Sequence, residues 1–519
     1  MKHTRSAAKI VAAVFLALLL FLTASNVLIL KTPIKDFLTG KIPFSTFTQK
    51  MASTYRDKLE QREWFLTLNG IYARVTGARV SNGVILLKNG MLTEVQEQVD
   101  TDYGARQITA LSAYLRQRGT QFLYVQTPRK PDLQGALMPE GAVNFSNANA
   151  DSMVASLRDA QVPLLDLRPW FTATPEQLER YFYKTDHHWT AEGAFTAFTL
   201  LAEHIQQRFP QQEILSAPAL QRENWTRHVK EAFFLGSHGR RAGIGFAGLD
   251  DLVWLTPNFE TSLSCSIPER HIFRKGDFAQ AALDNSYLTA QPDYYNTSPY
   301  NLHTGGDYAH VQFRNPAAPS DLRLLVVQDS FGIALEGMLS TLFQQVETVD
   351  LRMASNDTLL ERIETFDPHM VIVLYNPSML GNQAVFDFGL ENTLPGPGAL
   401  LASHEELLLA PQGHTDFLSV AEVEPGKTYT LTIEDIQLLG GDADCVTAAV
   451  FDTHTQWLGA YYTPDLEYIQ AVDGQYRWVF NTPADAQGQL LLRLYAGLPG
   501  ETDGVGAVFR KVTLREGRN

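Results

Sequence analysis

Cysteine is almost absent from this chain: Cys265 and Cys445 are the only two among 519 residues. They stand far apart, so neither a CxxC redox pair nor a thiolate zinc site can be built from them. A basic surplus is missing too. Formal net charge is -15, and such a field repels nucleic-acid phosphates, which argues against a nucleic-acid partner. It also disfavours a strongly anionic glycan. No glycine-rich phosphate loop occurs, so no nucleotide cofactor is expected. Low-complexity tracts are lacking, and 45% hydrophobic with 19% charged residues describe an ordered globular chain.

One long apolar run does occur. Lys2, Arg5 and Lys9 precede Ile10 to Leu30, interrupted only by Thr23, Ser25 and Asn26. About 20 apolar residues suffice to cross the hydrocarbon core as a helix, and the basic flank belongs on the cytoplasmic side. A cleaved signal peptide, cut near Ala24 and Ser25, is the competing reading. Apolar residues continuing through Val27 to Leu30 favour a retained anchor over residues 1–31. Either way everything after Lys31 is exported. The expected location is the cell membrane, single-pass, with the bulk of the chain extracytoplasmic.

The length points to two or three domains. Residues 32–95 read as a juxtamembrane region with an amphipathic helix around Tyr55 to Leu68. Over 96–395, helical patterns alternate with short apolar strands. The helices are Ile108 to Gln117, Asp151 to Ala160, a run capped by Thr190 and reaching Phe209, Gly332 to Phe343, and Asp357 to Phe366. The strands are Phe122 to Val125, Pro163 to Leu167, Leu322 to Gln328, Val346 to Leu351 and Met370 to Tyr375. Continuous apolar strands between helices predict an α/β fold with a parallel sheet covered on both faces. The stretch from Pro210 to Asp321 is less regular and suits insertions or loops. Pro395 to Gly398 reads as a linker. Residues 408–519 then alternate apolar and polar in short runs, the pattern of an antiparallel β-sandwich. Its aromatics (Trp457, Tyr461, Tyr462, Tyr468, Tyr476, Trp478) fit a sugar-stacking surface or, equally, a core.

Two short motifs carry chemistry. Gln328-Asp329-Ser330-Phe331-Gly332 falls where an apolar strand turns into a helix. A serine there is exposed at the carboxyl edge of a parallel sheet, and the following helix N-terminus offers N–H groups to a developing oxyanion. Alone, the motif equally describes a capped helix start. The second motif, Thr185-Asp186-His187-His188-Trp189-Thr190, supplies what the serine lacks. A histidine is its usual base, and a carboxylate holds that histidine's far nitrogen. In an extended segment Asp186 and His188 share a face while His187 projects the other way, as a structural residue. A metal reading of Asp-His-His needs further ligands, and none suggests itself.

The string Tyr183 to Thr190, followed by Gly193 and Ala194, resembles the signature of the DHHW family. That family is related to the alginate O-acetyltransferases of the AlgJ/AlgX type, whose catalytic domain is SGNH-hydrolase-like. Asp329-Ser330-Phe331-Gly332, Val349-Asp350-Leu351-Arg352 and, more loosely, Phe234 to Arg241 are similar too. The resemblance spans about Lys31 to Leu380. It implies a serine-dependent O-acetyltransferase with Asp186, His188 and Ser330 as its triad, and Arg352, Tyr375 and Ser237 as substrate or oxyanion contacts. It further implies a polysaccharide acceptor, a membrane-bound O-acyltransferase as donor partner, and a carbohydrate-binding role for the sandwich. Gln328 departs from the Gly-Asp-Ser of simple SGNH esterases. A polysaccharide acetylesterase and a non-catalytic carbohydrate-binding or assembly protein are the alternatives.

Overall fold

The computed structural model describes residues 13, 15–17 and 30–516. Omitted within that span are 59–61, 131–136, 172–173, 290–292, 355, 391–399, 410–414, 416–417, 423–426, 439–444, 452–456, 465–474, 483–487 and 497–506. The apolar run expected to span the membrane thus lies almost wholly outside the described residues. Among those described, no helix is long and apolar enough to cross a membrane.

Three helices, Lys31–Leu38, Phe44–Lys58 and Arg62–Val75, lead into the body. The amphipathic helix expected over Tyr55 to Leu68 straddles the second and third of them. A small antiparallel sheet follows, made of β1 (Val80–Ser81), β2 (Val84–Leu86) and β3 (Leu92–Thr93). The central sheet then takes β4 (Gln121–Gln126) and β5 (Leu164–Asp166). After a separate ribbon of β6 (Trp225–Phe234) and β7 (Asp250–Pro257), it adds β8 (Leu263–Ile267), β9 (Ile272–Gly276), β10 (His310–Arg314), β11 (Ser320–Gln328), β12 (Phe343–Val349) and β13 (Met370–Tyr375). Its order is β5-β4-β13-β11-β12-β10-β8-β9.

The first five strands in that order are parallel. Their residues are apolar on both faces because helices cover both. Helices Ala191–Arg208 and Ile333–Ser340 bury one face. Helices Asp102–Gln117, Ser146–Asp159 and Asn356–Phe366 pack on the other. The remaining strands are antiparallel, so the sheet is mixed rather than parallel throughout. The cause lies in the stretch that reads as irregular: β8, β9 and β10 are short, β8 and β10 alternate apolar and polar residues, and Pro268 to His271 connects β8 to β9 too tightly for a crossover helix.

The C-terminal part forms two antiparallel four-stranded sheets. One is β14 (Leu400–Leu409), β21 (Ala507–Glu516), β16 (Thr428–Leu438) and β19 (Gln475–Asn481). The other is β15 (Leu418–Glu422), β20 (Gln489–Ala496), β17 (Cys445–Phe451) and β18 (Trp457–Pro464). The sandwich begins at Leu400, ahead of residue 408, because β14 pairs along its whole length with β21. Leu400-Leu401 and Leu407 to Leu409 flank the polar Ser403 to Glu406, so β14 lacks the period-two alternation that marks a half-buried strand. The aromatic side chains expected to stack on sugar lie outside the described side chains.

Candidate active site

Ser330 sits just past the carboxyl end of β11, which lies between β13 and β12 among the five parallel strands. Two residues of the turn organise it. Asp329 accepts the Phe331 amide at its Oδ1 (2.9 Å), and its Oδ2 accepts both the backbone and side-chain N–H groups of Asn376 at 2.7 and 2.8 Å. The Gly332 amide goes to the Asp329 carbonyl at 2.9 Å. Those bonds commit the Phe331 and Gly332 amides. The turn's remaining donor for an oxyanion is the Ser330 amide. Gln328 turns its side chain inward, donating to Glu336 in the buried helix Ile333–Ser340. A Cβ on Gly332 would stand 2.8 Å from Gln328 Cβ and closer still to its amide, so any larger residue at 332 would displace the Gln328 side chain.

The Thr185–Thr190 loop reaches the same edge from the other side. Thr190 caps helix Ala191–Arg208, accepting the Gly193 amide at 3.3 Å. Asp250 on β7 grips the loop's start, accepting from the Lys184 amide at 2.9 Å, the Thr185 amide at 2.6 Å and the Thr185 hydroxyl at 2.5 Å. Trp189 Nε1 donates to the Phe331 carbonyl at 3.1 Å and so ties the two motifs together. His188 Nδ1 then lies 2.5 Å from Asp186 Oδ1, and His188 Nε2 lies 2.7 Å from Ser330 Oγ. Asp186, His188 and Ser330 are all buried. The structure therefore brings the three sequence-predicted residues into one hydrogen-bonded chain.

Burial by itself would raise the Asp186 carboxyl. The charges of His187 and His188, with the hydrogen bonds from His188 and the Ser237 amide, overcome it and hold Asp186 well below the usual carboxylate range. That amide reaches Asp186 Oδ2 at 2.5 Å. Gly236 makes the approach possible, since a Cβ there would come within 2.3 Å of Asp186 Cβ. Ser237 thus serves the relay through its backbone, while its hydroxyl lies 2.7 Å from His187 Nδ1.

His187 departs from its expected direction. The segment is a run of bends rather than a strand, so side chains do not alternate. The His187 ring packs against His188 with centroids 3.8 Å apart. A third of the side chain (32%) reaches solvent, yet it is enclosed by the site walls. That enclosure, then the charge of His188, pushes its pKa well below the ordinary histidine value. Ligand atoms of Asp186, His187 and His188 lie within 4.8 Å of one another. No fourth His, Cys, Asp or Glu joins them among the described residues, and the short bonds to one another already occupy Asp186 and His188.

The two other candidates are placed differently. Arg352 binds Asp350 through Nε (2.9 Å to Oδ1) and Asp307 through Nη2 (2.6 Å). Tyr375 is buried in the core on the opposite face of the sheet, its hydroxyl donated to the Val385 carbonyl at 2.8 Å. Neither is brought into contact with Ser330 or His188. Pleating explains Tyr375: its neighbour Leu374 faces the Ser330 side instead.

Several residues of the site escaped the sequence. Tyr300, from the stretch that reads as irregular, stacks flat on His188 with centroids 3.9 Å apart and planes 8° from parallel. Phe331 covers the same ring at 5.4 Å. Asn376 and Asp250 orient the two motifs as described. Buried Lys130 donates from Nζ to the carbonyls of Leu92 (2.6 Å) and Lys184 (3.0 Å), its pKa pushed down to about 7 by burial. Asn376 alone carried a local signal, as the polar residue ending an apolar strand.

A mixed α/β sheet with an Asp–His–Ser chain at its carboxyl edge defines an SGNH hydrolase-like unit, and comparison with known proteins agrees. Residues 86–232 match the model of the SGNH hydrolase-like domain, acetyltransferase AlgX. Residues 174–349 match that of the DHHW protein family. The two overlap across the Thr185–Thr190 motif, and the resemblance drawn from the motifs holds for this central part of the chain. No curated protein matches. Among solved structures, PatB1 of Bacillus cereus is 21% identical, with 59% of this chain and 99% of that one covered and a TM-score of 0.47. A DHHW family protein from Eubacterium siraeum is 16% identical (61% and 97% covered, TM-score 0.44). AlgX of Pseudomonas aeruginosa is 14% identical (84% and 94% covered, TM-score 0.34).

Proposed function

We propose that this chain is an extracytoplasmic O-acetyltransferase that moves an acetyl group through an acetyl-serine intermediate to a polysaccharide. The observation that carries the reading is the hydrogen-bonded chain from Asp186 through His188 to Ser330, and the match to the acetyltransferase AlgX domain supports it. His188 Nε2 takes the Ser330 proton as Oγ attacks the acetyl carbonyl carbon. The oxyanion meets the Ser330 amide. Collapse expels the donor's leaving group, which takes the proton from His188, and leaves acetyl-Ser330. A sugar hydroxyl then attacks that ester while His188 accepts its proton, and Ser330 leaves with the proton returned. Asp186 holds the imidazole tautomer and balances its charge throughout.

The Ile10 to Leu30 run supports an anchored, exported location. No acetyl-CoA is at hand outside the membrane, so a membrane-bound O-acyltransferase is the donor partner this reading calls for. The sandwich would then hold the glycan. The test incubates the full chain in detergent with p-nitrophenyl acetate, with and without acceptor oligosaccharides. Wild type should release p-nitrophenol and carry an acetyl group on Ser330 by mass spectrometry. Ser330→Ala and His188→Ala should lower the rate by at least about 10⁴-fold at unchanged melting temperature. Acetylated sugar in the products marks a transferase, and free acetate alone marks the esterase. Equal rates in wild type and variants would leave a glycan-binding scaffold as the better account.

A further inference from the structure

Helix Arg62–Val75 carries an apolar stripe that faces away from the protein. Its inner side is set by close packing. A Cβ on Gly70 would meet the Phe246 backbone nitrogen at 2.7 Å, and Ala73 is buried. Arg74 Nε donates to the Phe246 carbonyl at 2.7 Å, and Thr67 Oγ1 meets the Tyr295 hydroxyl at 2.8 Å. With that rotation fixed, Trp64, Leu68, Tyr72 and Val75 point outward, 75%, 61%, 69% and 81% exposed. Their spacing is that of a single helix face. Phe65 and Ile71 flank them, and Ile34, Leu38 and Phe44 of the preceding helices are exposed as well. A contiguous face of large apolar side chains marks an interaction surface.

Charge and chain position identify what covers it. Residues 31–79 hold nine Lys and Arg against four Asp and Glu, a surplus of positive charge in a chain whose net charge is -15. The apolar run Ile10 to Leu30 ends where helix Lys31–Leu38 begins, with one helix between that and the stripe. Trp64 and Tyr72 are the residue types that settle at headgroup depth, with an apolar body and a polar tip. An apolar helix face within a segment of positive charge surplus fits a helix lying in the membrane interface.

We propose that helix Arg62–Val75 lies in the interface of an anionic-lipid leaflet, with Trp64, Leu68, Tyr72 and Val75 inserted to the acyl boundary. This contact is separate from the Ile10 to Leu30 run and holds the body against the membrane at a second point. It rests on the membrane location proposed above. The full chain carrying Cys445→Ser and Leu68→Cys, labelled with the fluorophore NBD, is reconstituted into vesicles of phosphatidylcholine with or without phosphatidylglycerol. Flotation with the vesicles is scored first. The expected result is a label quenched by doxyl-bearing lipid and sheltered from aqueous iodide, more so with phosphatidylglycerol; Trp64→Cys labelled in the same way should behave alike. A chain that fails to float overturns the membrane location and this contact with it. A chain that floats with both labels open to iodide overturns this contact alone. Shelter appearing only when a membrane-bound acyltransferase is added makes the occupant a protein and likewise overturns the lipid contact.

Discussion

The Thr185–Thr190 loop and the Gln328–Gly332 turn each bring one buried aspartate to the relay, and the two are held in opposite ionisation balances. Burial alone would raise Asp186, but it keeps its charge because the imidazoles of His187 and His188 lie beside it and His188 and the Ser237 amide hydrogen-bond to it. Asp329 is surrounded mainly by neutral amides. Burial raises it to about 6 from 3.8, and the Asn376 and Phe331 amides with the more distant Arg352 only partly offset that. Equal burial therefore does not give equal roles. The acid beside the imidazoles is suited to balance charge during proton transfer, and the acid beside the amides is suited to shape the turn that presents Ser330.

The comparison breaks most visibly at Asp186. Asp186→Asn should cut kcat by on the order of 10⁴-fold, since the amide no longer holds the His188 tautomer. The melting temperature at neutral pH should fall, since the ionised Asp186 contributes stability there, and a rate within tenfold of wild type in the folded variant would remove Asp186 from the mechanism. Asp329→Asn probes the other half through pH. A raised folded pKa means the native state holds the proton more tightly than the unfolded chain, so stability attached to Asp329 is present below pH 3.8 and lost as pH rises to about 6. The shift corresponds to about 3 kcal/mol at most. Asp329→Asn should flatten that part of the stability curve in denaturant titrations between those limits. A slope identical to wild type would mean that Asp329 is ionised in the fold throughout. Asp186, held low, should show the reverse dependence, its contribution present above the usual carboxylate range and lost as pH falls below it.

The smallest expected effect sharpens the comparison at the ring between the two motifs. Tyr300→Leu removes the flat stack on His188 and should lower kcat by about tenfold through looser positioning of the imidazole. Tyr300→Phe keeps the ring and should restore the rate. Equal loss in both variants would assign the effect to the hydroxyl instead.

Much of the fold was legible residue by residue. Met370–Tyr375 was readable to the end of the strand because both its faces are apolar and its ends are polar. Thr190 was readable as a cap because its hydroxyl acts on an amide three residues away. Tyr300 and Asp250 were not readable, since each acts on residues far along the chain and carries no local pattern, and Asn376 showed only as the polar residue ending an apolar strand. The mixed sheet was missed for a related reason. A short alternating strand such as His310–Arg314 does not reveal whether its partner runs parallel or antiparallel.

The sequence alone determined the residue types for the chemistry, their order along the chain, and the strand-to-helix turn that places a serine at the sheet edge. Those follow from local periodicity and capping, which act over a few residues. Tertiary structure alone decided that His188 lies between Asp186 and Ser330, that His187 packs beside it rather than away, and that Tyr375 faces the opposite core. Each depends on a bent loop gripped by Asp250, on strand pleating, and on 142 residues of chain separating His188 from Ser330. Only the closed fold brings such distant groups within hydrogen-bond reach.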